Sequence, residues 1–220
     1  MNEDAGFLQA ICEDPYEDAV RLIYADWLQE NGRQARGEFI QVQMDLKKQS
    51  SAFRGNEACS CTFCKLRRRE RELLQEGCEY QGGTLPRFGW AGPTIAMRAS
   101  FLEWEFRRGF VEQVACSCAD WLQHGVAIVQ SQPVLEVRLT DKRPSAHGTV
   151  YRWFDGIVYR ENPDRLPDQF WRLLGFNVPG QRLMFKTYAN ASTALADLSH
   201  AAVAWARQRA GLPALSWCDR

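Results

Sequence analysis

Apolar residues recur every three or four positions through the first fifty residues, a periodicity typical of amphipathic helices. It predicts three helices in succession. Asp4 is the expected cap of the first helix, and the pair Asp14-Pro15, a capping acid before proline, is expected to begin the second. Asn31-Gly32 should end the second helix. The third helix carries an apolar stripe that gives way to a polar linker, and the stripe comprises Phe39, Ile40, Val42, Gln43 and Leu46.

A different pattern follows a stretch rich in glycine and proline over residues 82–93. Residues 101–106 and 110–116 alternate as strands do, and Arg107-Arg108-Gly109 between them is predicted to be a turn. A helix over 119–129 and a strand over 134–140 come next. A strand, a helix and a strand in close succession predict one βαβ unit with parallel neighbouring strands. Such a unit is the building block of leucine-rich-type repeats.

The last third of the chain has a mixed pattern. Residues 142–165 are predicted to be rich in loops, with an edge hairpin around Asp155-Gly156. A short helix over 166–174, a strand over 182–185 and a long alanine-rich helix over 191–209 follow. The whole chain is therefore expected to be an α+β protein in three parts. These are a helical module over 1–50, a cysteine-rich loop and basic helix over 51–80, and a mixed αβ region over 81–220.

Many residues of the first part stand in an order and spacing that resemble a known family. They are Phe7-Leu8, Ile11, Asp14-Pro15, Asp18, the run from Arg21 to Leu28, Gly32, the run from Arg36 to Gln41, and Gln43. The match covers about residues 5–46 and resembles the short repeat-companion domain, which is abundant in planctomycete bacteria and frequently found ahead of leucine-rich-type repeats. Gly37 departs from the family, which usually has a helix former such as alanine there. The resemblance implies a bacterial protein with a small helical module and a neighbouring repeat-like segment, and it supplies no catalytic residue.

Within this module, the run Tyr24-Ala25-Asp26-Trp27-Leu28 invites two interpretations. In the first, Trp27 and Leu28 are core residues and Asp26 forms an ion pair with Arg21 or Arg36. In the second, Asp26 and Trp27 are exposed and bind a partner. The first is the expected arrangement.

Three thiols within six residues, those of Cys59, Cys61 and Cys64, are the strongest chemical signal in the chain. Such thiols can converge on one tetrahedral ion, whereas disulfides between close neighbours would be strained. A structural zinc site is the leading interpretation, and structural thiols or a redox role are the alternatives. Cys64 is expected to begin a helix, whose N-terminus lowers a thiol pKa. The fourth ligand is not local, and the candidates are Cys78, Cys12, and the pair Cys116 and Cys118, which are expected on one face of a strand.

A basic stretch follows these thiols directly, and it consists of Lys65, Arg67, Arg68, Arg69 and Arg71. A basic helix held by a zinc site can contact a phosphate backbone, so nucleic-acid binding in a phage or mobile-element setting is the alternative function. Glu70, Glu72 and Glu76 lie three or four residues from these arginines. The helix can therefore also satisfy its own charges.

Composition narrows the classes of function. The 220 residues include 27 basic and 27 acidic ones, so no overall field attracts nucleic acid or a membrane. The chain has neither an apolar run long enough to span a bilayer nor a secretory signal, so a cytoplasmic location is expected, where its 8 cysteines would be thiols or metal ligands. The histidines stand in no catalytic spacing and no phosphate-binding glycine loop follows a strand, so no enzymatic activity is expected. The expected function is a binding or scaffold protein with structural zinc and a protein partner.

Overall fold

The computed structural model describes residues 3–49, 59–76, 78–79, 87–88, 90, 103–141, 143–144, 150–154, 157–161, 170–174, 184–188 and 191–216. Within these ranges the protein is mixed α+β, as the sequence predicts. The helices are α1 (Glu3–Glu13), α2 (Asp18–Glu30), α3 (Gln34–Lys48), α4 (Thr62–Glu76), α5 (Cys118–Ser131) and α6 (Ala191–Ala210). The strands are β1 (Cys78–Glu79), β2 (Arg87–Phe88), β3 (Glu103–Arg107), β4 (Phe110–Cys116), β5 (Glu136–Leu139), β6 (Arg143–Pro144), β7 (Val150–Phe154), β8 (Ile157–Glu161), β9 (Phe170–Leu174) and β10 (Met184–Tyr188).

The described strands form three sheets. β1 and β2 pair antiparallel, β3-β4-β5 form a central sheet, and β10-β9-β8-β7-β6 form an antiparallel sheet in that order. The hairpin predicted around Asp155-Gly156 is confirmed by the pairing of Phe154 with Ile157 across β7 and β8, although its turn lies outside the described residues. Its predicted edge position is wrong, because β6 and β9 flank it, and the loop-rich prediction for residues 142–165 is wrong where β6, β7 and β8 form. The helix predicted over 166–174 is wrong, because Phe170–Leu174 is a strand that pairs with β8 on one side and β10 on the other. Pairing on both sides overrides local preference.

The predicted βαβ unit is confirmed as β4, α5 and β5. β4 and β5 pair in parallel, with Val114 opposite Val137. Ser117 caps α5, since its side chain accepts a hydrogen bond from the Asp120 N–H at 3.0 Å. Cys116 ends β4 and Cys118 begins α5, so the prediction that both thiols lie on one strand is wrong.

A hydrophobic core lies between this unit and α6. Trp121 of α5 is fully buried there, and its indole N–H donates to the Ala202 carbonyl of α6 at 3.0 Å. Val111, Val114 and Val137 face the same core from the sheet. The alanine-rich α6 therefore packs on the βαβ unit, and it ends before Gly211, whose φ is positive.

The first two helices begin differently from the prediction. Asp4 lies in the first turn of α1, where its carboxylate accepts from the Tyr24 hydroxyl at 2.6 Å. Glu17, and not Asp14, caps α2 by accepting from the Ala19 N–H at 2.7 Å. Pro15 lies outside that helix, and its carbonyl accepts hydrogen bonds from two buried arginines, as described below. The predicted end of α2 is confirmed, with Asn31 as its C-cap.

The expected ion pair of Asp26 is also wrong. Asp26 is exposed, and its carboxylate accepts from the Gln41 side chain at 2.9 Å. Arg21 instead contacts Glu112, 2.9 Å away. The guanidinium of Arg36 lies over aromatic rings, 4.9 Å from the centre of Phe110. Both arginines thus face residues that are distant in sequence.

The predicted turn after β3 is confirmed, and the turn packs against the helical module. Arg108 and Gly109 both have positive φ, 51° and 84°, as a two-residue type I′ hairpin requires. The Gly109 N–H donates to the Gln43 side chain at 2.6 Å. Phe110 is fully buried among apolar residues of α1, α2 and α3, including Ile11, Leu28 and Ile40. Leu28 is therefore a core residue as expected, and Trp27 is only partly buried at the edge of the same cluster.

Buried charges fix the hairpin at this place. The Glu112 carboxylate of β4 forms ion pairs with Arg21 of α2, 2.9 Å away, and with Arg108 of the turn, 2.8 Å away. Burial raises the pKa of the Glu112 carboxyl, and the two guanidiniums oppose that shift. Arg108 also contacts Asp18 at 3.0 Å, and both arginines donate to the Pro15 carbonyl. The helical module and the first hairpin of the αβ region are therefore joined by apolar and ionic contacts.

Arg207 joins the last helix to the first. Its guanidinium is 1% exposed and donates to the carbonyls of Cys12 at 2.8 Å and Glu13 at 2.9 Å, at the C-terminal end of α1. A third donation reaches Pro213 at 2.9 Å. Carbonyls at the end of a helix lack intrahelical partners. Arg207 supplies those partners from the far end of the chain.

Replacing Gly37 by alanine is expected to destabilise the protein, although alanine is the better helix former. A Cβ at Gly37 of α3 would lie 2.4 Å from the Ala25 carbonyl oxygen of α2. The overpacking should cost about 1–3 kcal/mol, which exceeds the gain in helix propensity of about 1 kcal/mol. Gly6 of α1 is the matched control, because its Cβ would meet nothing within 4 Å. Urea unfolding should show Gly6→Ala to be stabilising and Gly37→Ala destabilising; a stabilised Gly37→Ala protein would contradict the close approach of α2 and α3.

Candidate metal centre

The three predicted thiols converge in the structure. The Sγ atoms of Cys59, Cys61 and Cys64 all lie within 4.8 Å of one another, and the three side chains are partly buried. Tetrahedral zinc with Zn–S bonds of about 2.3 Å needs sulfur atoms about 3.8 Å apart. A small contraction of the observed cluster would therefore suit such an ion. The donor set, three sulfur atoms, fits a thiophilic metal.

The start of α4 holds two of these thiols in place. The helix begins at Thr62, two residues before the predicted start at Cys64. The Lys65 N–H donates to the Cys61 carbonyl at 3.0 Å, which closes the first helical turn. Cys61 thus directly precedes the helix and Cys64 lies in its first turn. One turn of backbone brings the two thiols to the same end of α4.

The thiols differ in acidity. The backbone N–H of Cys64, followed by the side chain of Cys59, lowers the pKa of the Cys61 thiol. Hydrogen bonding with Cys61, and then burial, raise the pKa of Cys64 to about 11. The pKa values of Cys61 and Cys64 therefore depend on each other. A bound cation would favour the thiolate form of all three, so its binding would release protons.

Three candidates for a fourth ligand are excluded by the structure. Among the described residues, the group of close potential ligands contains no thiol besides the three. Cys12 and Cys116 are buried, and burial raises the pKa of each to about 12. Cys118 packs at the edge of the core that contains Cys116. The predictions that one of these completes the site are wrong, because apolar packing holds them elsewhere in the fold.

Cys78 follows the opposite end of α4. The helix continues to Glu76, and the backbone of Cys78 begins β1 two residues later. A helix of this length separates its ends by about 20 Å. The side chain of Cys78 lies outside the described residues, as do residues 50–58 ahead of the cluster. The identity of a fourth ligand stays a prediction.

The helix that carries the thiols is fixed on α3. Leu73 is fully buried with Phe39, Val42 and Leu46 of α3. Arg69 donates to both carboxylate oxygens of Glu38, at 2.6 and 2.8 Å, and these contacts hold the pKa of Glu38 below its usual value. Sequence reasoning missed Glu38, which is 31 residues from its partner. No local signal identifies such a pair.

The basic stretch of α4 largely balances its own charges. Arg67 pairs with Glu70 at 2.9 Å and Arg69 with Glu72 at 3.1 Å, both three residues along the helix. The interpretation that neighbouring acids satisfy these arginines is confirmed for both. Lys65, Arg68 and Arg71 are exposed, and Arg68 and Arg71 make further interactions of their own. An anionic backbone would have to compete with these existing contacts.

Comparisons with known proteins add no relatives. No family model matches the chain, and no curated protein and no solved structure does. Among the described helices, none combines the length and the apolar character needed to cross a membrane. The resemblance of residues 5–46 to the repeat-companion domain therefore rests on the residues themselves and stays a prediction.

Proposed function

We propose that this chain is a non-catalytic binding or scaffold protein with a structural zinc ion and a protein partner. The observation that carries the proposal is the convergence of three thiol sulfur atoms within 4.8 Å at the start of α4. Thiolates prefer soft or borderline ions, and clusters of close cysteines in small loops are typical of structural zinc. Cys59, Cys61 and Cys64 would hold the ion, and a fourth ligand would complete the tetrahedron.

The ion would act as a staple for α4. It would tie Cys59, which precedes the helix, to Cys64 in its first turn. The opposite half of α4 is already anchored, since Leu73 is buried against α3. Metal at one end and apolar packing at the other would fix the orientation of the helix on the module.

A protein is the partner that the charges favour. The chain has no net charge, and Arg67 and Arg69 are already paired with carboxylates. The helical module resembles a domain that is found beside repeats. This resemblance agrees with a scaffold role, in which the module supports the neighbouring αβ region for contact with a protein partner. Nucleic-acid binding through the basic stretch Lys65, Arg67, Arg68, Arg69 and Arg71 is the alternative. A gel shift at low salt distinguishes the two functions, since retention of nucleic acid that is lost on charge reversal of Arg67, Arg68 and Arg69 would favour the alternative.

Metal content is the direct test of the staple. Protein purified without added metal should contain about one zinc per chain by elemental analysis. The Cys61→Ser/Cys64→Ser variant should lose the metal and melt at a lower temperature, because the start of α4 loses its anchor. Cys118→Ser is the matched control: its thiol is partly buried but lies outside the cluster, so its metal content should be unchanged.

Two results would count against this assignment. The first is wild-type protein that contains no metal and whose thiols react with a thiol reagent. That result would contradict the zinc proposal and favour a role in thiol chemistry. Metal retained at full occupancy in the double variant would place the ion elsewhere in the chain.

A further inference from the structure

A cleft lies between α4, α3 and the β3–β4 hairpin. Its volume is about 430 Å³, within the range of small-ligand sites. Residues of α3, α4 and β3, the hairpin turn and the start of β4 line it, together with Leu135 ahead of β5. Neither the thiol cluster nor its proposed zinc takes part in the lining.

The charges of this cleft are unevenly distributed. At its inner end, Arg108 and Glu112 are 9% and 4% exposed and pair with each other. At its rim stand Lys47 of α3, Arg67 of α4 and Arg107 of β3, whose side chains are 50%, 55% and 42% exposed. Three cations from three separate elements thus surround the opening. Glu105 is the exposed carboxylate of the lining, and Asp18 and Glu136 reach Lys47 and Arg107 from outside it, so the exposed part of the lining itself carries three cations and one carboxylate.

The rim cations can exchange their present partners. Lys47 contacts Asp18, Arg67 contacts Glu70, and Arg107 contacts both Glu105 and Glu136. The pairs of Lys47 and Arg107 are exposed to solvent, and such pairs contribute little to stability, so replacing their partners by a ligand carboxylate costs little. The partner of Arg67, Glu70, is only 11% exposed. The acids also keep other partners, since Asp18 retains Arg108 and Glu70 retains Gln43. An incoming anion therefore need not leave a buried carboxylate alone.

Apolar side chains complete the lining. Leu46, Phe106 and Leu135 contribute carbon surface between the rim and the inner end. A ligand that suits both parts has an anionic group and a short aliphatic body. We propose that the cleft binds aliphatic carboxylates, with Lys47, Arg67 and Arg107 as the groups that recognise the charge. A free dicarboxylate and a glutamate side chain of a partner protein present this same chemistry.

Nuclear magnetic resonance titration of the full-length protein as purified tests this proposal. The probes are glutarate, a blocked peptide of alternating glutamate and leucine, and cadaverine, a diamine with the carbon-chain length of glutarate, all at constant ionic strength. We expect backbone amides of residues 43–47 and 105–108 to shift with glutarate, with the peptide, or with both, and not with cadaverine. Tighter binding of glutarate would identify a free ligand, and tighter binding of the peptide a protein segment.

Two substitutions locate the site. Lys47→Met and Arg107→Met remove rim charges and keep an aliphatic chain, and each should weaken carboxylate binding about tenfold. Arg138→Met is the control, because Arg138 is 57% exposed and pairs with Glu103 outside the cleft. It should bind like the wild type.

The proposal fails if neither acid shifts the cleft amides, if cadaverine shifts them equally, or if Arg138→Met weakens binding as much as the rim variants. If a rim variant does not fold, the titrations of wild-type protein with glutarate, the peptide and cadaverine still test the proposal. Elemental analysis tests the zinc site independently of these titrations. The carboxylate proposal can therefore fail while the zinc proposal stands, and the reverse is also true.

Discussion

Replacing Glu112 by alanine should lower the free energy of unfolding by about 3–5 kcal/mol, the usual cost of removing one partner from a buried ion pair. The carboxylate contacts Arg21 at 2.9 Å and Arg108 at 2.8 Å, and all three residues are less than a tenth exposed. Without it, two guanidiniums would face each other away from water. Their remaining contacts, to the carbonyls of Pro15 and Arg108 and to Asp18, include only one carboxylate for the two charges.

Urea unfolding of three variants separates burial from simple loss of a salt bridge. Glu103→Ala is the control, because Glu103 is 80% exposed and its partner Arg138 is 57% exposed. This substitution should change the free energy of unfolding by less than about 0.5 kcal/mol. Glu112→Gln keeps hydrogen-bonding capacity without charge and should fall between the two. If Glu112→Ala were no more harmful than Glu103→Ala, the two arginines would have to be hydrated, contrary to the structure.

Gly109→Ala should cost about 2–5 kcal/mol, for two separate reasons. The first is conformational, because φ at Gly109 is +84° and a side chain in the left-handed region costs about 1–2 kcal/mol. The second is steric, since a Cβ would lie 2.5 Å from Cγ1 and 2.9 Å from Cα of Ile40. Overpacking of this kind costs about 1–3 kcal/mol. The backbone of α3 cannot move away without disturbing the module.

Gly32→Ala isolates the conformational part. Gly32 has a similar φ of +78°, and a Cβ there would meet nothing within 4 Å. Its loss should therefore be about 1–2 kcal/mol, and the excess found for Gly109→Ala measures the contact with Ile40. Thermal or urea unfolding of both proteins provides the comparison. Equal losses would show that the turn does not approach α3 so closely.

Features determined by neighbouring residues were predictable from the sequence. Helical periodicity gave the first three helices, and the Arg108-Gly109 pair gave the turn between β3 and β4. The convergence of the thiols was also predictable, because Cys61 and Cys64 need only one helical turn between them. In each case the chain near the residue decides its conformation.

The wrong predictions share a different cause. Asp14-Pro15 has the pattern of a helix start, but Pro15 presents its carbonyl to Arg108, 93 residues later. Asp26 was expected to pair within the module, but Arg21 pairs with Glu112 from the αβ region. Residues 166–174 have an amphipathic pattern, but β8 and β10 recruit Phe170–Leu174 as a strand. Long-range partners decide these elements, and no local pattern identifies those partners.

The arrangement of these partners imposes an order on folding during biosynthesis. Arg21 leaves the ribosome well before the Arg108 carbonyl to which it donates, 87 residues later. The carbonyl of Cys12 precedes Arg207 by 195 residues, which corresponds to about 10–40 s of translation at 5–20 residues per second. Until Phe110 and Glu112 are synthesised, the nascent module holds Arg21 without its carboxylate partner and an apolar cluster without Phe110. The N-terminal helices therefore gain the contact of Arg207 with the end of α1 only after synthesis reaches the last helix.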